Sequence, residues 1–227
     1  MSFEQLERYE NRTQAGTVLA HALRHHAGRH DTIVLGLPRG GVPVAAQVAR
    51  QLKLPLDILV VRKIGFPGQP EFAIGAIASG GACLLQKEIV GEYHISDALI
   101  EETVAREKHE LARREQCYRG SRPAPLLANQ TVILVDDGMA TGSTMQAAVQ
   151  AVRAAHPACV IVAVPVASSE ACAHMTLVAD QCLCLSRPEP FRAVGLWYRH
   201  FGQVGDDEVI ALLAQAGADE QRSAPVN

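Results

Sequence analysis

Two adjacent carboxylates, Asp136 and Asp137, run straight into a stretch of small and hydroxyl-bearing residues, Gly138-Met139-Ala140-Thr141-Gly142-Ser143-Thr144. The acids can accept hydrogen bonds from vicinal hydroxyls or help hold a hydrated Mg2+. The small residues can offer backbone N–H groups, and Thr141, Ser143 and Thr144 add hydroxyl donors. Such donors suit a phosphate, which the carboxylates would repel. Acids beside a phosphate cradle describe a site for a sugar phosphate. A second anion site is suggested at Arg39-Gly40-Gly41, where a guanidinium fork lies beside glycines that let backbone approach a phosphate. Taken alone, the first run could be an ordinary turn with solvated acids, and the second a tight turn with a surface Arg.

Both runs need elements that present them. Val132-Ile133-Leu134-Val135 is short and wholly apolar, as a buried parallel strand is, and Met145 to Ala155 repeats apolar residues at helical spacing. The acids therefore end a strand, and the small-residue run opens a helix, whose free N–H groups and dipole favour an anion. Thr32 to Leu37 is a second such strand, broken at Pro38-Arg39-Gly40-Gly41 and followed by a helix from Val42 to Leu52. The central run has no Gly-Lys-Ser/Thr and no Gly-x-Gly-x-x-Gly spacing, so it is neither a Walker A loop nor a dinucleotide fingerprint.

The run from Val135 to Thr144 closely resembles the motif that binds 5-phosphoribosyl pyrophosphate (PRPP) in type I phosphoribosyltransferases, in the form seen in adenine phosphoribosyltransferases. Together with Pro38-Arg39-Gly40-Gly41, it resembles bacterial members of that family whose acceptor is not evident. The resemblance implies transfer of a 5-phosphoribosyl group from PRPP to a nitrogenous base, with loss of pyrophosphate. It gives Asp136 and Asp137 the ribose hydroxyls and, through water, Mg2+, and it makes Gly138 to Thr144 substrate-binding, with Ala140 to Thr144 on the 5-phosphate. It gives Arg39, Gly40 and Gly41 the pyrophosphate, with a non-proline cis peptide at Pro38-Arg39 or Arg39-Gly40. It adds Arg62 and Lys63 as pyrophosphate ligands next to a loop that closes over PRPP, and Phe191, with Trp197 or Tyr198, as a group over the acceptor. Ala140 departs from the acid that 6-oxopurine enzymes place there, which weakens hypoxanthine or guanine as acceptor. A PRPP- or nucleotide-sensing regulator of the same fold, without turnover, is the alternative.

Elsewhere the pattern is that of alternating short strands and helices. Asn11 to Gly28 reads as a helix capped by Thr13, with Arg12 and the cluster His25, His26 and His30 on the surface. Pro55 to Val61 reads as a strand ending at Arg62-Lys63, and Gly65 to Glu71 as a loop in which Glu71 either orients Arg62 or Lys63 or is solvated. Phe72 to Leu85 reads as a hairpin extended by Gln86 to Val90, and Ser96 to Arg119 as a charged helix with a narrow apolar stripe that could contribute to a homodimer. Ala158 to Pro165 and Leu177 to Leu185 read as strands, the latter interrupted by Asp180, with a short helix from Ser168 to Met175 between them. Asp206 to Ala216 reads as a final helix before a frayed tail. The expected fold is α/β, a central parallel sheet flanked by helices, in one domain of residues 1–227 with a hairpin and helix insertion at about 66–122.

Composition agrees. Hydrophobic residues make up 48% of the 227 and aromatics only 4%, so Val, Ala, Leu and Ile must fill the core. A net charge of −3 offers nucleic acid no overall attraction. The absence of a long apolar run and of a basic, apolar leader implies a cytosolic protein without a membrane partner. Six cysteines without metal-site spacing read mostly as core residues.

Overall fold

The apolar runs Thr32–Gly36 (β1) and Thr131–Val135 (β6) are buried along their whole length, and they pair side by side in parallel. This computed structural model describes residues 8–66, 69–81 and 83–223. Leu56–Ile58 (β2), Cys159–Val166 (β7) and Gln181–Ser186 (β8) complete a five-stranded sheet in the order β2-β1-β6-β7-β8, with every neighbouring pair parallel. Successive strand residues point to opposite faces. Val34, Ile133 and Ile161 accordingly enter one core, and Leu35, Leu134 and Val162 the other. The first core is covered by Arg12–Ala22 (α1), Gly41–Leu52 (α2) and Asp206–Ser223 (α7), the second by Ser143–Arg153 (α5) and Ser169–Val178 (α6). Each Leu or Ile fully buried in these layers contributes roughly 1.5–3 kcal/mol.

A second, antiparallel sheet is formed by Val61–Phe66 (β3), Gln69–Ala78 (β4) and Cys83–Leu85 (β5). It is followed by the helices Lys87–Glu92 (α3) and Asp97–Arg119 (α4). Here the strand expected over Pro55 to Val61 divides. Leu59 N–H still donates to Gly36, but β1 ends there, and Val60 N–H turns to the Ser79 hydroxyl at 2.9 Å. The breaker-rich loop expected from Gly65 is mostly strand, with Phe66 paired to Gln69, so most of the expected closing loop is ladder; the Glu71 side chain lies outside the description. Residues 87–90 are helical rather than hairpin, with Glu88 in the first turn, where an acid suits the helix dipole.

Other corrections are local. Asn11, not Thr13, caps α1, accepting from Gln14 N–H at 2.9 Å. His26 is buried, and neither ring nitrogen has a hydrogen-bond partner. Burial, then the neighbouring charges of His25 and Arg29, lower its pKa. Asp180 precedes β8 instead of interrupting it, and its carboxylate accepts Val160 N–H at 2.7 Å. α7 continues to Ser223, through part of the segment expected to fray. Of the cysteines, Cys172 is buried, but Cys83 and Cys117 are exposed.

Candidate active site

Because β1 and β6 are neighbours in register, with Gly36 opposite Val135, the chain leaves both strands at one edge of the sheet. The arginine turn and the acid turn therefore lie against each other. Leu37 N–H donates to the Val135 carbonyl at 2.9 Å. A Cβ on Gly41 would stand 2.7 Å from the Val135 oxygen and 2.8 Å from Asp136 Cα, and one on Gly40 would strike the Asp137 carboxylate. Gly40 itself has φ −62°, open to any residue. These glycines thus serve close approach between two loops, not an unusual backbone angle. The Pro38-Arg39 peptide is cis.

The acid pair is held by groups from distant parts of the chain. Arg12, at the start of α1, donates from Nε to Asp137 Oδ2 at 2.8 Å and from Nη1 to the Gly202 carbonyl at 2.8 Å. Its guanidinium lies 3.9 Å from the centre of the Phe201 ring, and the Arg12 and Asp137 side chains are only 12% and 13% exposed. Tyr198, which is buried, donates its hydroxyl to the Asp137 carbonyl at 2.6 Å. Asp137 N–H donates to Asp136 Oδ1 at 2.8 Å. Burial first, then the charge of Asp137, raises the Asp136 pKa well above the usual carboxylate range. Burial raises Asp137 as well, against the pull of Arg12. Burial and Asp137's charge push the Tyr198 hydroxyl up.

The small-residue loop is pinned to the end of β7. Met139 N–H donates to the Val166 carbonyl, and Ser168 Oγ donates to the Ala140 carbonyl at 2.6 Å. Met139 is buried, so only its backbone can face a ligand. A Cβ on Gly138 would fall 2.6 Å from Val194 Cγ1. Gly142 takes φ +74° ahead of α5, a conformation that favours glycine. Ala140, Thr141, Ser143 and Thr144 are exposed at the start of α5; Ser143 N–H donates to the Thr141 hydroxyl at 3.4 Å, and the dipole at this helix end favours an anion.

Not every expected ligand joins this cluster. Arg39 is exposed and reaches Asp206 only at 3.7 Å, which leaves its fork available. Arg62 is committed to Glu107 of α4, donating from Nη2 at 2.7 Å and Nε at 3.0 Å. Lys63 is exposed on the same strand, and because adjacent strand residues face opposite ways, Arg62 and Lys63 leave β3 on different faces. Phe191 stacks on Trp197, with centroids 6.5 Å apart, while Tyr198 is taken by Asp137. Arg12 and Tyr198 as holders of the acid pair escaped the sequence. Arg12 did carry one signal: a cation in the first turn of a helix opposes the dipole, so something else must hold it there.

A parallel sheet whose adjacent strands end in an arginine-glycine turn and an acid-pair turn defines the phosphoribosyltransferase class of α/β protein. The chain belongs to the phosphoribosyl transferase domain family, whose family model matches residues 2–184. It is 43% identical over 211 residues to MT0597 and to Rv0571c, proteins of two Mycobacterium tuberculosis strains named provisionally as phosphoribosyl transferases. That match covers 93% of the chain but 47% of the relative, so the chain spans about half the length of the curated relatives it matches. Among solved structures, TT1426 of Thermus thermophilus superposes with a TM-score of 0.81 at 44% identity, covering 92% of this chain and 98% of that one.

The donor set bears on Mg2+. Asp136 and Asp137 offer hard carboxylate oxygens on neighbouring residues. Among the described residues no group of three or more His, Cys, Asp or Glu could hold a metal ion. The pair therefore fits an ion held mostly by water and substrate oxygens, not an all-protein cage. Among the described residues no helix is long and apolar enough to cross a membrane.

Proposed function

We propose that this chain transfers a 5-phosphoribosyl group from PRPP to a nitrogenous acceptor and releases pyrophosphate. The observation that supports this is the contact of Gly40 and Gly41 with the acid pair, which brings the arginine-glycine turn and the acid turn against each other at one edge of the sheet. The backbone and hydroxyls of Ala140 to Thr144 bind the 5-phosphate at the start of α5. Asp136 and Asp137 accept from the ribose hydroxyls, and Arg39 with the Gly40-Gly41 turn binds the pyrophosphate. The bond from ribose C1 to pyrophosphate oxygen breaks, a bond from acceptor nitrogen to C1 forms, and the acceptor's proton is released. The acid pair stabilises the positive charge that develops on the ribose. Mg2+, when bound, supplies charge that offsets the departing pyrophosphate. Lys63 is the cation of β3 left to reach pyrophosphate, and Phe191 is the ring left to cover the acceptor.

Arg62, bound to Glu107, is withdrawn from the pyrophosphate. That favours a second reading, a sensor that binds PRPP without turnover. Incubation with PRPP, Mg2+ and a panel of bases, monitored for pyrophosphate, separates the two. Release with at least one base supports transfer. PRPP binding without release for any base supports the sensor, and no binding at all removes both.

A further inference from the structure

Away from the acid pair, a cavity of about 530 Å3 opens between α2 and α7. Its lining includes residues 28–30 and 53–55, which precede β1 and β2, so it lies at the end of the sheet opposite the two turns. Cavities of this size accept nucleotide-sized molecules. The floor is apolar, with Ala46, Ala49, Leu54 and Leu212. The wall carries Arg29, His30, Arg50 and Lys53, with Asp219 as its acid, in a chain whose net charge is −3. Arg29 is forked onto Asp31; Arg50 and Lys53 are exposed at the mouth, where Arg50 donates from Nη2 to the neutral Gln47 amide oxygen at 2.6 Å and pairs with no acid among the described residues.

The C-terminus of α2 points into this cavity, and free carbonyls there would repel an anion. Three of the last four are occupied: Lys53 N–H donates to Arg50 O, Leu54 N–H to Ala49 O and Gly28 N–H to Leu52 O, the last at 2.8 Å. The basic side chains are left to set the local field.

We propose that this cavity is a second binding site, for a phosphorylated small molecule with a flat apolar body, of nucleotide size. Arg50, Lys53 and His30 meet the phosphates at the mouth, and the alanine and leucine floor meets the ring. Both helices that frame the cavity lead to the arginine turn. α2 starts at Gly41, and α7 starts at Asp206, which lies 3.7 Å from Arg39 and accepts the Tyr118 hydroxyl at 2.6 Å. Occupation is therefore positioned to regulate the candidate active site. That regulatory half rests on the phosphoribosyl-transfer reading; the binding half does not.

Calorimetric titration with ATP tests the site in the wild type, in the Arg50→Glu/Lys53→Glu double variant and in Asp136→Asn. The expected result is that ATP binds the wild type and Asp136→Asn alike. Charge reversal should weaken it at least tenfold while leaving the unliganded thermal midpoint in place. Inorganic phosphate and adenosine should each bind more weakly than ATP. Affinity that survives charge reversal overturns the proposal, as does affinity lost only in Asp136→Asn, which would put ATP at the acid pair. Phosphate binding as well as ATP also overturns it, as does a dimer in light scattering that the double variant disperses. For regulation, ATP should change the rate of pyrophosphate release in the wild type and not in the double variant; an unchanged wild-type rate overturns that half. ATP binding with no pyrophosphate release from any base counts against the transfer reading and leaves the second site standing.

Discussion

At the edge of the parallel sheet, Gly41 has backbone on its open side at 2.7 and 2.8 Å; in α3 of the insertion, Gly91 has nothing within 4 Å of where a Cβ would stand. The same contrast runs through the charges. The Arg12–Asp137 pair at the rim is almost wholly buried and spans 125 residues of chain. The pairs of Glu110 with Arg113 and Arg114 on α4 lie one helical turn apart on an exposed face. The rim is overdetermined, as the proposed grip requires: a ligand held at two ends would tolerate little relative movement of its two turns. The insertion is held by the Arg119–Asp57 pair at 3.1 Å and by a few buried side chains such as Leu111 and Tyr118, and its outer face is free to vary.

The comparison can be broken by substitution, and the largest effect falls on Arg12. Arg12→Ala leaves Asp137 buried without its partner, which should cost about 3–5 kcal/mol of stability, measured by urea denaturation. Arg113→Ala on α4 should leave the transition in place. Equal losses for the two would erase the distinction between rim and insertion. Gly41→Ala comes next. Its methyl group meets backbone that cannot yield cheaply, so a loss of about 1–3 kcal/mol is expected, along with PRPP binding. Wild-type binding in that variant would show that the turns have slack.

Asp136→Asn sharpens the account through pH. The native state raises the Asp136 pKa above its unfolded value, so the folded protein holds a proton that the unfolded chain has already lost. Stability from this group is therefore complete below the unfolded carboxylate pKa and is lost as pH rises through the native value. Asp136→Asn removes that loss. Its thermal midpoint should exceed the wild type's near pH 7, with the gap closing toward pH 4, while PRPP binding is lost. A gap that widens on acidification would contradict the burial of that carboxylate. The smallest effect is in the insertion, where Gly91→Ala should stabilise by about 0.5–1 kcal/mol.

Much of the rim was legible in the amino-acid order. Val132–Val135 and Ile33–Leu35 are apolar runs too short for helices, each broken by a turn with its own chemistry. Parallel packing then sends both turns to one edge. What could not be read was distance. Nothing near Arg12 mentions Asp137, and nothing near Asp57 mentions Arg119. In the insertion, β3 carries Arg62 and Lys63, which read as the end of the preceding strand, and Gly65, which read as the start of a loop, because an antiparallel ladder with one exposed face places no apolar demand on half its positions. Gly40 and Gly41 were legible as backbone that can approach an anion, but their close approach to Asp136 and Asp137 shows only in the folded chain.

The central claim is that the two turns grip opposite ends of a single diphosphorylated sugar. A crystal structure of the protein soaked with PRPP and Mg2+ tests it most directly. The expected density is one molecule, with its 5-phosphate at Thr141 to Thr144, its ribose hydroxyls at Asp136 and Asp137, and its pyrophosphate along Arg39 to Gly41. Phosphate density at one turn alone, or a sugar lying away from both carboxylates, would contradict it.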